Sequence, residues 1–293
     1  MSDSSSSTRR GLAAGVTAFT LWGLLPGYWK ALHWLSAGQI ICLRALLTVP
    51  VLFAMLLWRR ELGHVLRSLI QPRIAGLHLL TAALLAGNWM TFVWATHHAR
   101  IVEASLGYFL TPIANVGMGA LMLGEHMRRG QWLAVSFAAA GVALQVMAVS
   151  GVPWVALALC GTFAFYGLLR KQASLDSLAG LTVESVLAVP AAAVVLALFP
   201  PVRLAAGASE WVMLLLMGVI TAVPLLGFAT AARNLPLGVL GLLQFIAPSL
   251  QFLVGALIYG ESVTPLRMAS FVLIWGGLAV FTLDARRAAV TQR

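Results

Sequence analysis

Ten apolar runs of roughly 20 residues follow one another along this chain, each the length a helix needs to cross a hydrocarbon core of about 30 Å. They cover Gly11–Trp29, Ser36–Trp58, Ile74–Trp94, Ile101–Leu123, Gln131–Val149, Pro153–Leu169, Leu178–Phe199, Glu210–Ala231, Gly238–Tyr259 and Pro265–Leu283. Pro153 and Pro265 suit the first turn of a helix, where the missing N–H is an orphan anyway. No water-soluble domain of 293 residues hides a chain that is 60% hydrophobic and 10% charged. The sequence therefore reads as an all-α integral membrane protein. Its connections are short, so function must sit within the helix bundle.

The basic residues orient these spans. With a cytoplasmic N-terminus, the inner segments hold Arg9, Arg10, Arg59, Arg60, Arg67, Arg73, Arg128, Arg129, Arg170, Lys171, Arg233, Arg286, Arg287 and Arg293. The outer segments hold only Lys30, Arg100, Arg203 and Arg267, and Arg44 falls inside a span. That asymmetry predicts both termini in the cytoplasm. The net charge of +10 is thereby explained loop by loop, and no nucleic-acid partner is implied. Met1 to Ser7 reads as a short disordered tail, and "TRRGLAAG" after it as the start of an uncleaved first helix. The two cysteines, Cys42 and Cys160, lie at membrane depth on different spans and suggest small core residues.

One stretch returns. "EASLGYFLTPIANVGMGALMLGE", Glu103 to Glu125, reappears without a gap as "VLGLLQFIAPSLQFLVGALIYGE", Val239 to Glu261, at an offset of 136. Leu106, Phe109, Pro112, Gly119, Ala120, Leu121, Gly124 and Glu125 meet identical residues under that offset. Gly141 meets Gly277 in the same register, and "LWGLL" at Leu21 pairs with "FYGLL" at Phe165. Spans one to five thus read as repeated in spans six to ten. Five is odd, so the second copy enters the membrane from the opposite side and Glu125 and Glu261 lie on opposite faces. The expected architecture is ten transmembrane helices as two inverted five-helix repeats, residues 11–149 and 153–284, with cytoplasmic tails at 1–10 and 285–293. Such repeats suit alternating access, because one sequence adopts two conformations by exchanging sides.

Within the repeat, Pro112 frees the carbonyl of Tyr108 and Pro248 that of Gln244. Asn115 and Gln251 follow three residues after each proline, which puts Tyr108–Pro112–Asn115 and Gln244–Pro248–Gln251 on one face of their helices. Such a face either lines a water-filled cavity between spans four and nine or makes an interhelical hydrogen bond at a packing kink. Pro112 and Pro248 are the candidate hinges.

Two charges lie at depth. Arg44 is roughly 12 Å below the outer face and Glu184 roughly 9 Å from the inner one, at 1.5 Å per residue. Such groups are functional candidates by default: Arg44 for a carboxylate, Glu184 for a cationic group or a coupling proton. The alternative for both is pairing that fixes the bundle. Trp89, Phe92 and Trp94 beside Asn88, with Trp22, Tyr108, Tyr166 and Phe245, are either core or the lining of a pocket for a flat solute. His97 and His98 lack the spacing of a closed metal site, and no metal or other cofactor is expected. Gly23 and Gly27 form a GxxxG that permits close packing in span one. No phosphate-binding loop and no nucleophile with a base at recognisable spacing appear, which argues against an ATP-driven pump and against an enzyme.

The runs "NWMTFVWATHHARIVEASLGYFLTPIANVGMGALMLGE", "FAFYGLLRK", "DSLAGLTVES", "TAVPLLGFATAARNLPLGVLGLLQFIAPSLQFLVGALIYGE" and "LDARR" resemble RarD-type proteins of the EamA group, in the drug/metabolite transporter superfamily. The resemblance spans nearly the whole chain. It implies a ten-helix, five-plus-five fold in a bacterial inner membrane, with solute exit as the usual direction. Proteins of this type are often labelled chloramphenicol-sensitive or chloramphenicol-related permeases, a label that names no physiological substrate. In related transporters spans three, four, eight and nine line much of the central cavity, which favours Asn88, Trp89, Tyr108, Asn115, Gln244 and Gln251 here. Gln39 stands where the family commonly carries a carboxylate, leaving Glu184 as the acid available for coupling.

The expected function is a secondary transporter of a small organic solute, exchanging it across the bilayer by alternating access, with protons as the candidate coupling ion. A solute channel or a membrane solute sensor is the alternative.

Overall fold

The computed structural model describes residues 2–98, 100–147, 152–198, 207–258 and 263–291. Thirteen helices and no strand occur among them: α1 (Ser2–Leu24), α2 (Pro26–Ala31), α3 (Ala37–Arg59), α4 (Leu62–Leu69), α5 (Pro72–His97), α6 (Ile101–Met122), α7 (Arg129–Val146), α8 (Trp154–Gln172), α9 (Ser177–Leu198), α10 (Ala208–Asn234), α11 (Leu237–Gln244), α12 (Ile246–Leu257) and α13 (Pro265–Thr291). Among the described residues six segments are long and apolar enough to cross a membrane: Gly38–Arg59, Pro72–Ala95, Ser177–Leu198, Ala208–Asn234, Leu237–Leu257 and Pro265–Arg287. The protein is an integral membrane protein, because only helices satisfy every backbone group inside apolar segments of that length in lipid.

Proline decides where two of the expected spans break. Leu25 separates α1 from α2, directly before Pro26. The run Gly238–Tyr259 likewise divides at Phe245, where the chain tightens and Phe245 N–H reaches the Leu242 carbonyl at 3.3 Å. Pro248 then falls in the first turn of α12, where its missing N–H costs least. Pro112, by contrast, lies inside a continuous α6. The serine-rich start, expected to be a disordered tail, instead belongs to α1, which begins at Ser2. Adding a residue to an existing helix costs far less than starting one.

Helix α7 lies along α13, α6 packs on α8 and α11, and α1 on α10 and α12. Helix α3 packs on α9 and α10, and α5 on α8 and α9. At the α7–α13 crossing a Cβ on Gly141 would lie 2.7 Å from the Ser270 carbonyl oxygen, and one on Gly277 2.6 Å from that of Ala134. Glycine lets these backbones touch, the usual way helices associate where lipid removes the hydrophobic drive. Gly23 works similarly in α1, with its missing Cβ 2.6 Å from Leu250 Cβ of α12.

Two aromatic clusters anchor the bundle. Phe19, Trp22, Phe163, Tyr166 and Phe228 join α1, α8 and α10, with Tyr166 stacked on Phe228 at 5.7 Å. Phe109, Phe252, Phe271 and Trp275 join α6, α12 and α13.

Candidate functional site

Asn115 and Gln244 meet. Asn115 is fully buried on α6, and its Nδ2 donates to Oε1 of the buried Gln244 on α11 at 2.7 Å. Close approach is possible because position 241 is glycine, whose missing Cβ would lie 2.5 Å from the Pro112 carbonyl oxygen and 3.3 Å from Asn115 Cβ. Of the two roles open to this polar face, the interhelical hydrogen bond is therefore present.

Tyr108 and Gln251 do not join them. Tyr108 is 38% exposed and makes no hydrogen bond among the described residues; its ring meets Phe92 edge-on at 5.9 Å and its hydroxyl interacts with the Arg44 cation. Gln251 Nε2 donates to the Trp22 carbonyl at 3.2 Å. That carbonyl is four residues before Pro26, which has no N–H to offer it. Helix α6 packs on α11 but has no comparable contact with α12.

Asn88 serves the α5–α8 contact: its Nδ2 donates to the Leu159 carbonyl and to Thr162 Oγ1, both at 2.9 Å. Its neighbour Trp89 faces the other way and lines a cavity of about 250 Å³ among α3, α5, α9 and α10. The Arg44 guanidinium lies 4.0 Å from the Trp89 ring centroid and 5.3 Å from that of Trp29. Contacts of this kind are worth about 2 kcal/mol when desolvated. They offer a cation in a span some compensation without a carboxylate partner.

Glu184 lines the same cavity from α9. It is 3% exposed, and neither of its carboxylate oxygens accepts a hydrogen bond. The Thr81 and Tyr166 hydroxyls and the Arg170 guanidinium lie beside it, and the Tyr166 hydroxyl is itself a buried donor without a partner among the described residues.

Arg170 has a role that the sequence reading, which counted it only among the inner-segment charges, did not assign. It is fully buried, with Nη2 donating to the Ser177 carbonyl at 3.1 Å and Nη1 beside His78 Nδ1 at 3.4 Å. The spacing carries a signal that the reading passed over. Tyr166 and Arg170 are four apart on α8, and Gly180 and Glu184 four apart on α9, so each pair shares a face. Gly180 leaves the room that the guanidinium and the His78 ring occupy.

Glu125 was also overlooked as more than a repeat marker. Its Oε1 accepts from Leu237 N–H at 2.9 Å and its Oε2 from Gly238 N–H at 3.2 Å, capping α11. Lys171 Nζ lies 3.4 Å from the same carboxylate and also donates to the Leu235 carbonyl. A carboxylate at a helix N-terminus satisfies orphan N–H groups and answers the helix dipole. Its repeat counterpart, Glu261, lies outside the described residues.

Most of the aromatic set is packing. Trp22 and Tyr166 belong to the first cluster, Phe245 is 1% exposed in the core, and Trp94 stacks on His98 at 4.2 Å. Among the described residues no cluster of His, Cys, Asp and Glu could hold a metal ion.

Comparison with known proteins connects this arrangement to a family. Residues 9–147 match the model of the EamA-like transporter family. An uncharacterized transporter of Vibrio cholerae is 39% identical over 97% of this chain and 96% of its own length. Protein RarD of Salmonella typhimurium is 38% identical over 95% of this chain and 96% of its own. The chain belongs to the RarD-type branch of the EamA-like transporters. A solved crystal structure, 23% identical, superposes with a TM-score of 0.74 over 96% of this chain and 99% of its own, so the fold is shared. This EamA protein is thus a membrane transporter, and its polar groups at depth are to be read in that light.

Proposed function

We propose that this EamA protein is a secondary transporter that carries a small organic solute across the bacterial inner membrane by alternating access. In this reading it has ten spans in two inverted repeats, 11–149 and 153–284, and cytoplasmic tails at 1–10 and 285–293. Helices α1 and α2 form the first span, α11 and α12 the ninth.

Packing supports the two-fold relation. Exchanging each span of the first repeat with its mate turns the α6–α8 contact into that of α11 and α12 with α1. It likewise turns α1–α10 into α5–α8 and α3–α10 into α5–α9. The α7–α13 crossing maps onto itself even at atomic detail, since Gly141 and Ser270 exchange with Gly277 and Ala134 at the offset of 136.

The observation that carries the transport reading is a broken symmetry. Under the same offset Asn115 exchanges with Gln251 and Gln244 with Tyr108. Asn115 and Gln244 are bonded and buried, whereas Tyr108 and Gln251 stand apart and open. Polar side chains exposed at mid-span need water rather than lipid around them. The α6–α11 half is therefore closed and the α6–α12 half open, as in one end state of an exchange whose other state bonds Tyr108 to Gln251. With the N-terminus in the cytoplasm, this state faces outward.

Counterflow tests the function. Proteoliposomes loaded with a pool of amino acids, aromatic metabolites and chloramphenicol should exchange one labelled class saturably, above protein-free vesicles. Flux that rises linearly with concentration would argue for a channel, and binding without movement for a sensor.

A further inference from the structure

Resting on the reading of this protein as a solute carrier in an outward-facing state, we infer that Arg44 and Tyr108 anchor a binding site for a small monocarboxylate solute. The guanidinium is the first ground. Arg44 lies roughly 12 Å below the outer face at 1.5 Å per residue, and among the described residues no carboxylate pairs with it. Its Nε is buried without a hydrogen-bond partner, and none of its N–H groups donates to a described residue. The Trp89 and Trp29 rings, at 4.0 and 5.3 Å, attract the charge. A ring face holds no lone pair, however, so it replaces a hydrogen-bond acceptor poorly. Native proteins pair nearly all their buried polar groups, and a charge at membrane depth either has a partner or marks a substrate path.

Tyr108 is the second ground. Its hydroxyl is close enough to interact with the Arg44 cation, and the residue is 38% exposed on the open α6–α12 side. Were the phenol oxygen to accept from the guanidinium, four N–H groups and the phenolic O–H would still lack acceptors. The pair thus carries a surplus of donors. The acids on neighbouring spans are engaged elsewhere, Glu103 with Arg100 at 2.8 Å and Glu184 beside Tyr166 and Arg170. Water hydrates such an edge without neutralising it, whereas a carboxylate accepts two parallel N–H bonds from the guanidinium fork and cancels its charge. One guanidinium answers one negative charge, and a dianion would bring an uncompensated charge to depth. Trp29, Trp89 and Phe92 around the two anchors favour an apolar body behind the carboxylate. A lipid phosphate shares the acceptor chemistry, and the test separates it from a solute.

The test is equilibrium binding to the full-length protein in nanodiscs of zwitterionic lipid, with empty nanodiscs subtracted for partition into lipid. Tritiated 3-phenylpropionate is the probe, and unlabelled 3-phenylpropionamide and 2-phenylethylammonium, of similar shape without the anion, compete with it. Saturable binding of the acid at least about tenfold tighter than of the amide or the amine is expected, the usual effect of a charge-assisted bond. Arg44→Gln should remove that preference. Arg44→Lys should keep only part of it, because the charge stays and the fork is lost. Tyr108→Phe should weaken the acid about threefold, the loss of one hydrogen bond. Equal competition by the amide, no saturable binding to folded protein, or a full acid preference in Arg44→Gln would each overturn the assignment. Displacement of the probe by added phosphatidylglycerol would make Arg44 a lipid contact and likewise overturn it. If Arg44→Gln does not yield folded protein, the acid–amide ratio on the unaltered protein and in Tyr108→Phe decides. Binding without counterflow would leave the site standing and remove the carrier reading; counterflow of a neutral or cationic solute without acid binding would do the reverse.

Discussion

Asn115 Nδ2 and Gln244 Oε1 are bonded at 2.7 Å across α6 and α11, while the residues that the repeat relates to them, Gln251 and Tyr108, are held apart. In the proposed inverted-repeat reading two equivalent arrangements exist, of which the Asn115–Gln244 bond marks one. Asn115→Leu removes the bond and leaves Gln244 without its donor. Interhelical polar contacts in membranes are worth about 1 kcal/mol. The equilibrium should therefore shift about fivefold toward the opposite state. Disulfide trapping of a Tyr108→Cys, Gln251→Cys pair should become faster in the Asn115→Leu background; an unchanged rate would detach this bond from the conformational exchange.

Glu125 holds the start of α11 through two backbone N–H groups and pairs with Lys171. Glu125→Ala orphans both donors and should cost about 1 kcal/mol, the usual effect of losing a helix cap. Glu125→Gln keeps an acceptor and should cost less. Thermal unfolding in detergent ranks the two, and an equal loss would make charge rather than capping the cause.

Glu184→Gln should alter solute counterflow less than pH-driven uptake, because exchange without a gradient needs no net proton movement. It should abolish uptake driven by a pH gradient, since Gln39, near the position that matches Glu184 in the first repeat, supplies no second carboxylate. Retained pH-driven uptake would remove Glu184 from coupling. Measuring both fluxes on one preparation separates this effect from misfolding.

Gly141 and Gly277 make equivalent backbone approaches, to Ser270 and Ala134. Gly141→Ala and Gly277→Ala should destabilise by similar amounts, about 1–3 kcal/mol, as overpacking forces α7 and α13 apart. Gly161, whose missing Cβ would meet nothing within 4 Å, is the control. Unequal losses would mean that the two halves of the crossing relax differently.

The sequence determined the class of this protein and much of its plan. Apolar runs of membrane length leave only helices, because a backbone in lipid must satisfy itself. The 136-residue repeat could be seen because its matched residues keep their order along the chain. The tertiary structure alone decided which repeat-related residues meet. Tyr108, Asn115, Gln244 and Gln251 are equally polar on paper, and their partners come from helices up to 229 residues away, as with Gln251 and Trp22. It also decided that Arg170 is buried. A basic residue at the end of an apolar run has the same local signature whether it reaches water or turns inward. Only the room at Gly180 and the acceptor at Ser177, supplied by α9, separate the two outcomes.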